Sequence, residues 1–267
     1  MRALALLLGG LVLAGASRAA TPATNLTVDA VLTRFIERSR SASNRLAHTR
    51  LVYLRRTTTE QFDPQGKLTE RKSKEQRVEL RGQEQQVRLV QLNGRAPSPA
   101  EAARETEEEG GHRKRYTARS GRGRRGNVDY LDEKLIRRFS YTFDGLEDVA
   151  GRPTFRLRFE PGPTPESQEL ADRVLGLLHG RIWIDAEDFE LVNVEAQLSR
   201  EFSFWGGVVG SLDRLDFALR RQRLPDGTWV NLLLASEASG RKVFSRFSGR
   251  MRVEQEDFQP LLAPAGP

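Results

Sequence analysis

Between Thr27 and Arg38 the apolar residues Val28, Val31, Leu32, Phe35 and Ile36 recur at three- and four-residue steps. That spacing predicts a helix with one apolar stripe, Thr27 as its N-cap and Asp29 in its first turn. From Leu46 the period changes to two. A strand is expected through Leu51-Val52-Tyr53-Leu54, ending at the turn Asp63-Pro64-Gln65-Gly66. A second runs from about Leu68 to Leu80, and a third from about Gln86 to a stop at Asn93-Gly94. These strands are long and rich in polar residues, as in a sheet wetted on one side.

Ser98 caps a helical segment from Pro99 to about Glu109, with Pro at its first position. Another helix is expected from about Val128 to Arg138, with Leu131, Leu135 and Ile136 on one side. Phe139–Phe143 reads as a strand and Gly145–Pro153 as a turn. Phe155, Leu157 and Phe159 then alternate cleanly up to Pro161-Gly162-Pro163. A helix is placed at about Ser167–Leu178. The last third is a second meander, with strands at roughly Gly180–Asp185, Phe189–Ser199, Leu212–Arg223, Thr228–Ser239 and Val243–Glu254. Ala186-Glu187-Asp188 and Pro225-Asp226-Gly227 are its turns. Strands arrive in runs with helices between the runs. The fold class is therefore α+β, built on a large antiparallel sheet of about ten strands.

Ahead of this pattern stands an apolar run, Ala3 to Ala16, led by Arg2 and followed by Ser17-Arg18-Ala19-Ala20. A positive residue, an apolar stretch and a small-x-small site make a secretory signal peptide, cleaved here after Ala19. The run is shorter than the ~20 residues a spanning helix needs. The mature domain, 20–258, is expected in the periplasm, followed by a disordered tail, 259–267. The chain has no cysteine, which removes disulfides, thiolate metal sites, a thiol nucleophile and a lipid anchor on cysteine. Its net charge of +7 falls by two when Arg2 and Arg18 leave with the leader. In an exported chain the partners for that charge are anionic envelope surfaces rather than nucleic acid.

Chemistry-bearing motifs are sparse. His48, His112 and His179 lie far apart and at no metal-ligating spacing. No serine sits in a G-x-S-x-G elbow. Gly121, Gly123 and Gly126 spell G-x-G-x-x-G, but without the strand before and the helix after that give the string meaning. Asp185 and Glu195 could pair for acid–base work only if the fold joins them. Asn25-Leu26-Thr27 matches a glycosylation acceptor, although a cap or turn explains it as well. No cofactor or metal is implied.

Two segments stand out. Residues 110–126 hold seven Lys/Arg, five Gly and no acid. We read them as a mobile loop whose Arg113, Lys114, Arg115, Arg122, Arg124 and Arg125 could touch an anionic surface. Glu201–Ser211 sets Phe202, Phe204 and Trp205 among glycines between two strands. It is either a bulge tucking aromatics into the core or an apolar flap at a cavity mouth.

His179-Gly180-Arg181-Ile182-Trp183-Ile184-Asp185, followed by Phe189-Glu190-Leu191-Val192-Asn193-Val194-Glu195, resembles the G-x-I-x-I-D … L-x-L-V-x-x-E hairpin of the outer-membrane lipoprotein-sorting superfamily. That superfamily includes the periplasmic carriers LolA and LolB and the sensor domain of RseB. Gly151–Pro161 is similar to its G-R-x-x-Y-x-L-x-F-x-P strand, and Pro225–Val230 to its D-G-x-W-x-P hairpin, with Val230 where Pro is common. The resemblance covers roughly Val128–Glu254. It implies an unclosed half-barrel, a curved sheet with helices packed on its concave face and a hollow that takes the acyl chains of a lipoprotein. The expected lining is Phe155, Leu157, Phe159, Ile182, Ile184, Val192, Val194, Phe217, Leu232 and Leu234, with Phe202, Phe204 and Trp205 as a flap. Two other functions stay open: a sensor or adaptor that binds an envelope polypeptide or lipid signal, and a hydrolase acting on cell-wall glycans.

Overall fold

In a computed structural model, the described residues are 26–41, 45, 48–82, 84–108, 133–162, 170–204, 210–242 and 245–261. The leader, the basic loop with Arg113, Lys114, Arg115, Arg122, Arg124 and Arg125, and Trp205 lie outside them.

Helix α1 (Val28–Arg40) begins where the sequence predicts: the Thr27 hydroxyl accepts from the Ala30 N–H at 3.3 Å, and Asp29 sits in the first turn. Strands β1 (Arg50–Phe62), β2 (Leu68–Arg81) and β3 (Glu84–Leu92) form the first meander. At the β1–β2 turn the Asp63 carboxylate accepts from the N–H groups of Gln65 and Lys67 at 3.0 and 2.8 Å. Helix α2 covers 99–108. Its start is a reciprocal capping box: Ser98 Oγ accepts from Glu101 N at 3.3 Å, and Glu101 accepts from Ser98 N at 2.8 Å.

The remaining strands are β4 (Phe139–Val149), β5 (Arg152–Pro161), β6 (Leu178–Asp185), β7 (Leu191–Leu198), β8 (Phe202–Phe204), β9 (Gly210–Arg223), β10 (Trp229–Lys242) and β11 (Ser245–Pro260). They join the first meander in one eleven-stranded antiparallel sheet, in the order β3-β2-β1-β11-β10-β9-β7-β6-β5-β4, with β8 beside the start of β9. Strands β3 and β4 are the two ends of that order, so the sheet is unclosed. The long β1–β11 pairing joins the two meanders.

Several boundaries differ from expectation. The strand expected to stop at Phe143 continues to Val149, because a register shift at Asp144 absorbs the extra residue and Gly145 adopts φ +127° there. The turn is Ala150-Gly151 instead. The helix expected to reach Leu178 ends at Leu175, and Leu178 opens β6 by pairing with Leu198. Within the helix expected at Val128–Arg138, the described helical part is Glu133–Ile136. Gln259 and Pro260, expected in a tail, instead pair with Val52 and Leu51, and the residues from 262 lie outside the described ones.

The core forms where α1 lies on the inner face of the sheet. Val31, Phe35 and Ile36 of α1 join Ile136, Phe155, Leu157, Phe159, Ile182, Ile184, Leu191, Val194, Ala196 and Leu219 in one buried cluster. Each large apolar side chain so buried contributes about 1.5–3 kcal/mol. Gly180 sits in this register opposite Ala196, and a Cβ there would lie 1.9 Å from the Glu195 carbonyl oxygen. Gly180→Ala must therefore push β6 and β7 apart. The expected cost in chemical denaturation is about 1–3 kcal/mol, the usual range for overpacking.

A roofed and an open stretch of the inner face

The register assigns the inner face row by row. One row reads Leu157, Ile182, Val194, Leu219, Leu234, Val253, Thr57 and Lys74, from β5 to β2. The next reads Phe159, Gly180, Ala196, Phe217, Ser236, Met251, Thr59 and Lys72. Each begins apolar and ends polar. Helix α1 covers the apolar end, and Leu215, Phe217 and Leu234 are partly buried against the cluster it forms.

This placement sorts the residues expected to line a hollow. Phe155, Leu157, Phe159, Ile182, Ile184 and Val194 are buried among the protein's own side chains. Phe217 and Leu234 lie at the rim of that cluster. Val192 is the extra residue of a bulge that pairs Trp183 with Asn193 and Ile184 with Leu191; it is buried, but outside the cluster. Leu191 takes the inward position instead. Leu232 is likewise the extra residue between Asn231 and Leu233, half-buried and outside the cluster. Strict alternation mispredicts both, since each bulge shifts the parity by one. Phe202 and Phe204 form β8, pairing with Leu212 and Gly210. Phe202 is buried, with the Arg173 guanidinium 4.9 Å from its ring centroid.

Beyond the α1 roof, no helix among the described residues covers the inner face of β10 and β11. On β10 and β11 it presents Ser236, Ala238 and Gly240 opposite Met251, Gly249 and Phe247. Phe247 and Met251 are 40 % and 37 % exposed. On the far side α2 reaches β2 through polar contacts. Arg55 Nε donates to Gln76 Oε1 at 2.9 Å, Gln76 Nε2 donates to Glu105 Oε1 at 2.9 Å, and Lys74 also pairs with Glu105. Among the described residues the inner face thus carries an exposed apolar strip on β10 and β11, with α1 seated on hydrocarbon to one side and α2 seated on polar side chains to the other.

A charged hub fastens α1 at the end of β9. Glu190, almost fully buried, accepts from Arg38 Nε of α1 at 2.9 Å, from Arg221 Nη1 of β9 at 3.1 Å and from Arg45. Beside it, buried Asp185 takes Arg152 in a bidentate pair at 2.6 and 2.8 Å and accepts the N–H groups of Glu187 and Asp188. Asp188 accepts from Trp229 Nε1 at 3.0 Å. Asp185 therefore builds the hairpin. It does not meet Glu195, which pairs with Arg181 four residues back along β6, roughly 13 Å away at strand rise. The fold separates the two candidate acid–base carboxylates.

The outer face of β5–β7 is ionic. Asp144 pairs with Arg156, Arg158 and Arg181, and Glu147 accepts from Arg156 and from Trp183 Nε1. A groove of about 320 Å³ there is lined by Arg158, Glu160, His179, Arg181, Glu195 and Gln197 among others. His48 is exposed and His112 lies outside the described residues. Among the described residues no group of three side chains could hold a metal, and no helix is long and apolar enough to cross a membrane.

Pattern reading missed the Glu190 hub. Its signal was present: Leu215, Phe217, Leu219 and Arg221 share one parity, which puts an arginine on the apolar face.

Solved structures align with this chain over most of its length, at low identity. A domain from Vibrio parahaemolyticus, described as a putative outer membrane lipoprotein-sorting protein, aligns over 86 % of this chain and 94 % of its own, with 11 % identity and a TM-score of 0.35. A LolA superfamily protein from Nitrosomonas europaea aligns over 87 % and 94 %, with 10 % identity and a TM-score of 0.31. The Pseudomonas aeruginosa MucA/MucB complex supplies a third likeness, over 87 % and 98 %, with 11 % identity and a TM-score of 0.22. No protein-family model and no curated protein matches the sequence.

The hub also predicts stability. Glu190→Gln strands Arg221 without its counter-charge, and removing one partner of a buried ion pair costs about 3–5 kcal/mol. Arg40→Gln, at the exposed Arg40–Glu133 pair, should change stability by under about 1 kcal/mol. Urea unfolding of the two variants against wild type checks both.

Proposed function

We propose that this protein is an exported periplasmic binder of an apolar envelope ligand, such as a lipid or a lipoprotein acyl chain, seated on the open strip between the α1 and α2 roofs. The observation that carries the reading is the exposure of Phe247 and Met251 on the inner face, beside the small residues Ser236, Ala238, Gly240 and Gly249. An alkyl chain laid there would bury these side chains and itself. At about 0.8 kcal/mol per methylene withdrawn from water, binding needs no catalytic residue. The leader pattern and the hairpin resemblance support the same location and ligand class.

A second reading has its own support. On strand β4, at one end of the sheet order, Phe143 is 54 % exposed and Leu146 is also exposed. A strand at such an edge offers backbone groups for pairing with an extended polypeptide. This favours an adaptor that docks an envelope protein on β4.

Native mass spectrometry of protein purified from membrane-containing cells tests the first reading. Wild type should retain lipid and release it to acceptor vesicles if it is a carrier. Phe247→Ser with Met251→Ser should lose most of the retained lipid while stability changes by only about 0.5 kcal/mol, as for other exposed sites. Wild type without lipid, together with a partner whose capture fails on Phe143→Asp, would replace the binder with the adaptor.

A further inference from the structure

The Glu190 hub is over-supplied with positive charge. Three guanidiniums, Arg38, Arg45 and Arg221, share one carboxylate. Glu190 and Arg221 are nearly enclosed, with side chains 6 % and 7 % exposed, whereas Arg38 and Arg45 are 34 % and 33 % exposed. The cluster thus has a closed floor and a cationic side open to solvent. Arg221 is held by Glu190 and by the Leu191 carbonyl at 3.2 Å. Arg45 also donates to the Arg38 carbonyl at 3.0 Å, at the C-terminal end of α1. Arg38 engages Glu190 through Nε, and its two terminal nitrogens make no other hydrogen bond among the described residues. Burial lowers the Arg45 guanidinium from its ordinary value, Glu190 opposes that, and the neighbouring Arg38 and Arg221 add to it. An incoming anion would relieve this crowding and find donors suited to a carboxylate or phosphate.

The position of the hub supplies the second half of the argument. Arg221 pairs with Asn231 on the inner-face parity of Leu219. From there toward the open strip the inner face runs through Leu234 and Val253 to Met251 and Phe247. Four residues of strand and two strand spacings separate Arg221 from Met251, a span of roughly 16 Å. A cationic cluster at one end and an apolar strip at the other match the two ends of one molecule.

We propose that Arg38, Arg45 and Arg221 form a head-group site for an anionic amphiphile, a carboxylate or phosphate on an alkyl chain whose tail lies along Leu234, Val253, Met251 and Phe247. The inference rests on the binder reading and adds the ligand's charge. The ligand supplies a second acidic group, which offsets part of the cluster's excess positive charge.

Calorimetric titration of the mature chain with dodecanoate, dodecanol and inorganic phosphate tests it. Dodecanoate should bind about tenfold more tightly than dodecanol, an advantage of about 1.4 kcal/mol, and the advantage should shrink with added salt. Arg38→Gln with Arg45→Gln leaves the Glu190–Arg221 pair in place, so the fold should persist. That variant should bind both amphiphiles alike, at the wild-type dodecanol affinity, and Arg38→Gln alone should remove part of the advantage. Arg40→Gln, an arginine of the same helix outside the cluster, should keep all of it. Equal affinity of wild type for dodecanoate and dodecanol would overturn the head-group site and leave the binder standing. Phosphate alone binding as tightly as dodecanoate would overturn the amphiphile. Binding of neither amphiphile would overturn the binder and the head-group site together.

Discussion

An open sheet cannot bury its own inner face. The sheet order here ends at β3 and β4, so something else must cover the apolar rows of β5, β6, β7 and β9. Helix α1 does this with Val31, Phe35 and Ile36. The rest follows from how far that cover reaches. Where α1 lies, the interior is packed protein. Past Leu234 the rows turn to Ser236, Ala238 and Thr57, and two exposed apolar side chains remain.

A roof lying on hydrocarbon alone could slide, because dispersion and water exclusion have little direction. The Glu190 hub gives it a register. One buried carboxylate holds Arg38 of α1 and Arg221 of β9, which pins the C-terminal end of the helix to the end of a strand. Beside it, Asp185 organises the hairpin through Arg152 and backbone N–H groups. The hairpin that carries the family resemblance is thus the one that anchors the roof. Its acidic residues have structural employment, so an acidic motif at a hairpin is poor grounds for catalysis.

The two roofs differ in kind. Helix α1 is seated on apolar side chains, whereas α2 reaches the sheet through Glu105 to Lys74 and Gln76. Helix α2 is thus held by hydrogen bonds and an ion pair that reach the buried Gln76, where α1 is held by water exclusion. The cationic hub, the apolar strip and the polar roof form a gradient of polarity on a single face.

Local rules in the sequence were enough for α1 and its Thr27 cap, the Asp63 turn, the Ser98–Glu101 capping box and the alternation of Phe155, Leu157 and Phe159. Each depends on residues within a few positions of one another, and the resulting fold class, a large unclosed antiparallel sheet, was legible from them. The bulges at Asp144, Val192 and Leu232 were not, because an extra residue in one strand is defined only by the strand paired with it. The same holds for the Glu190 hub, in which the Arg38–Glu190 contact alone spans 152 positions. Which apolar residues became core and which stayed exposed was likewise decided in three dimensions. Parity assigns a side chain to a face, but only the reach of α1 across that face determines whether it meets protein or water.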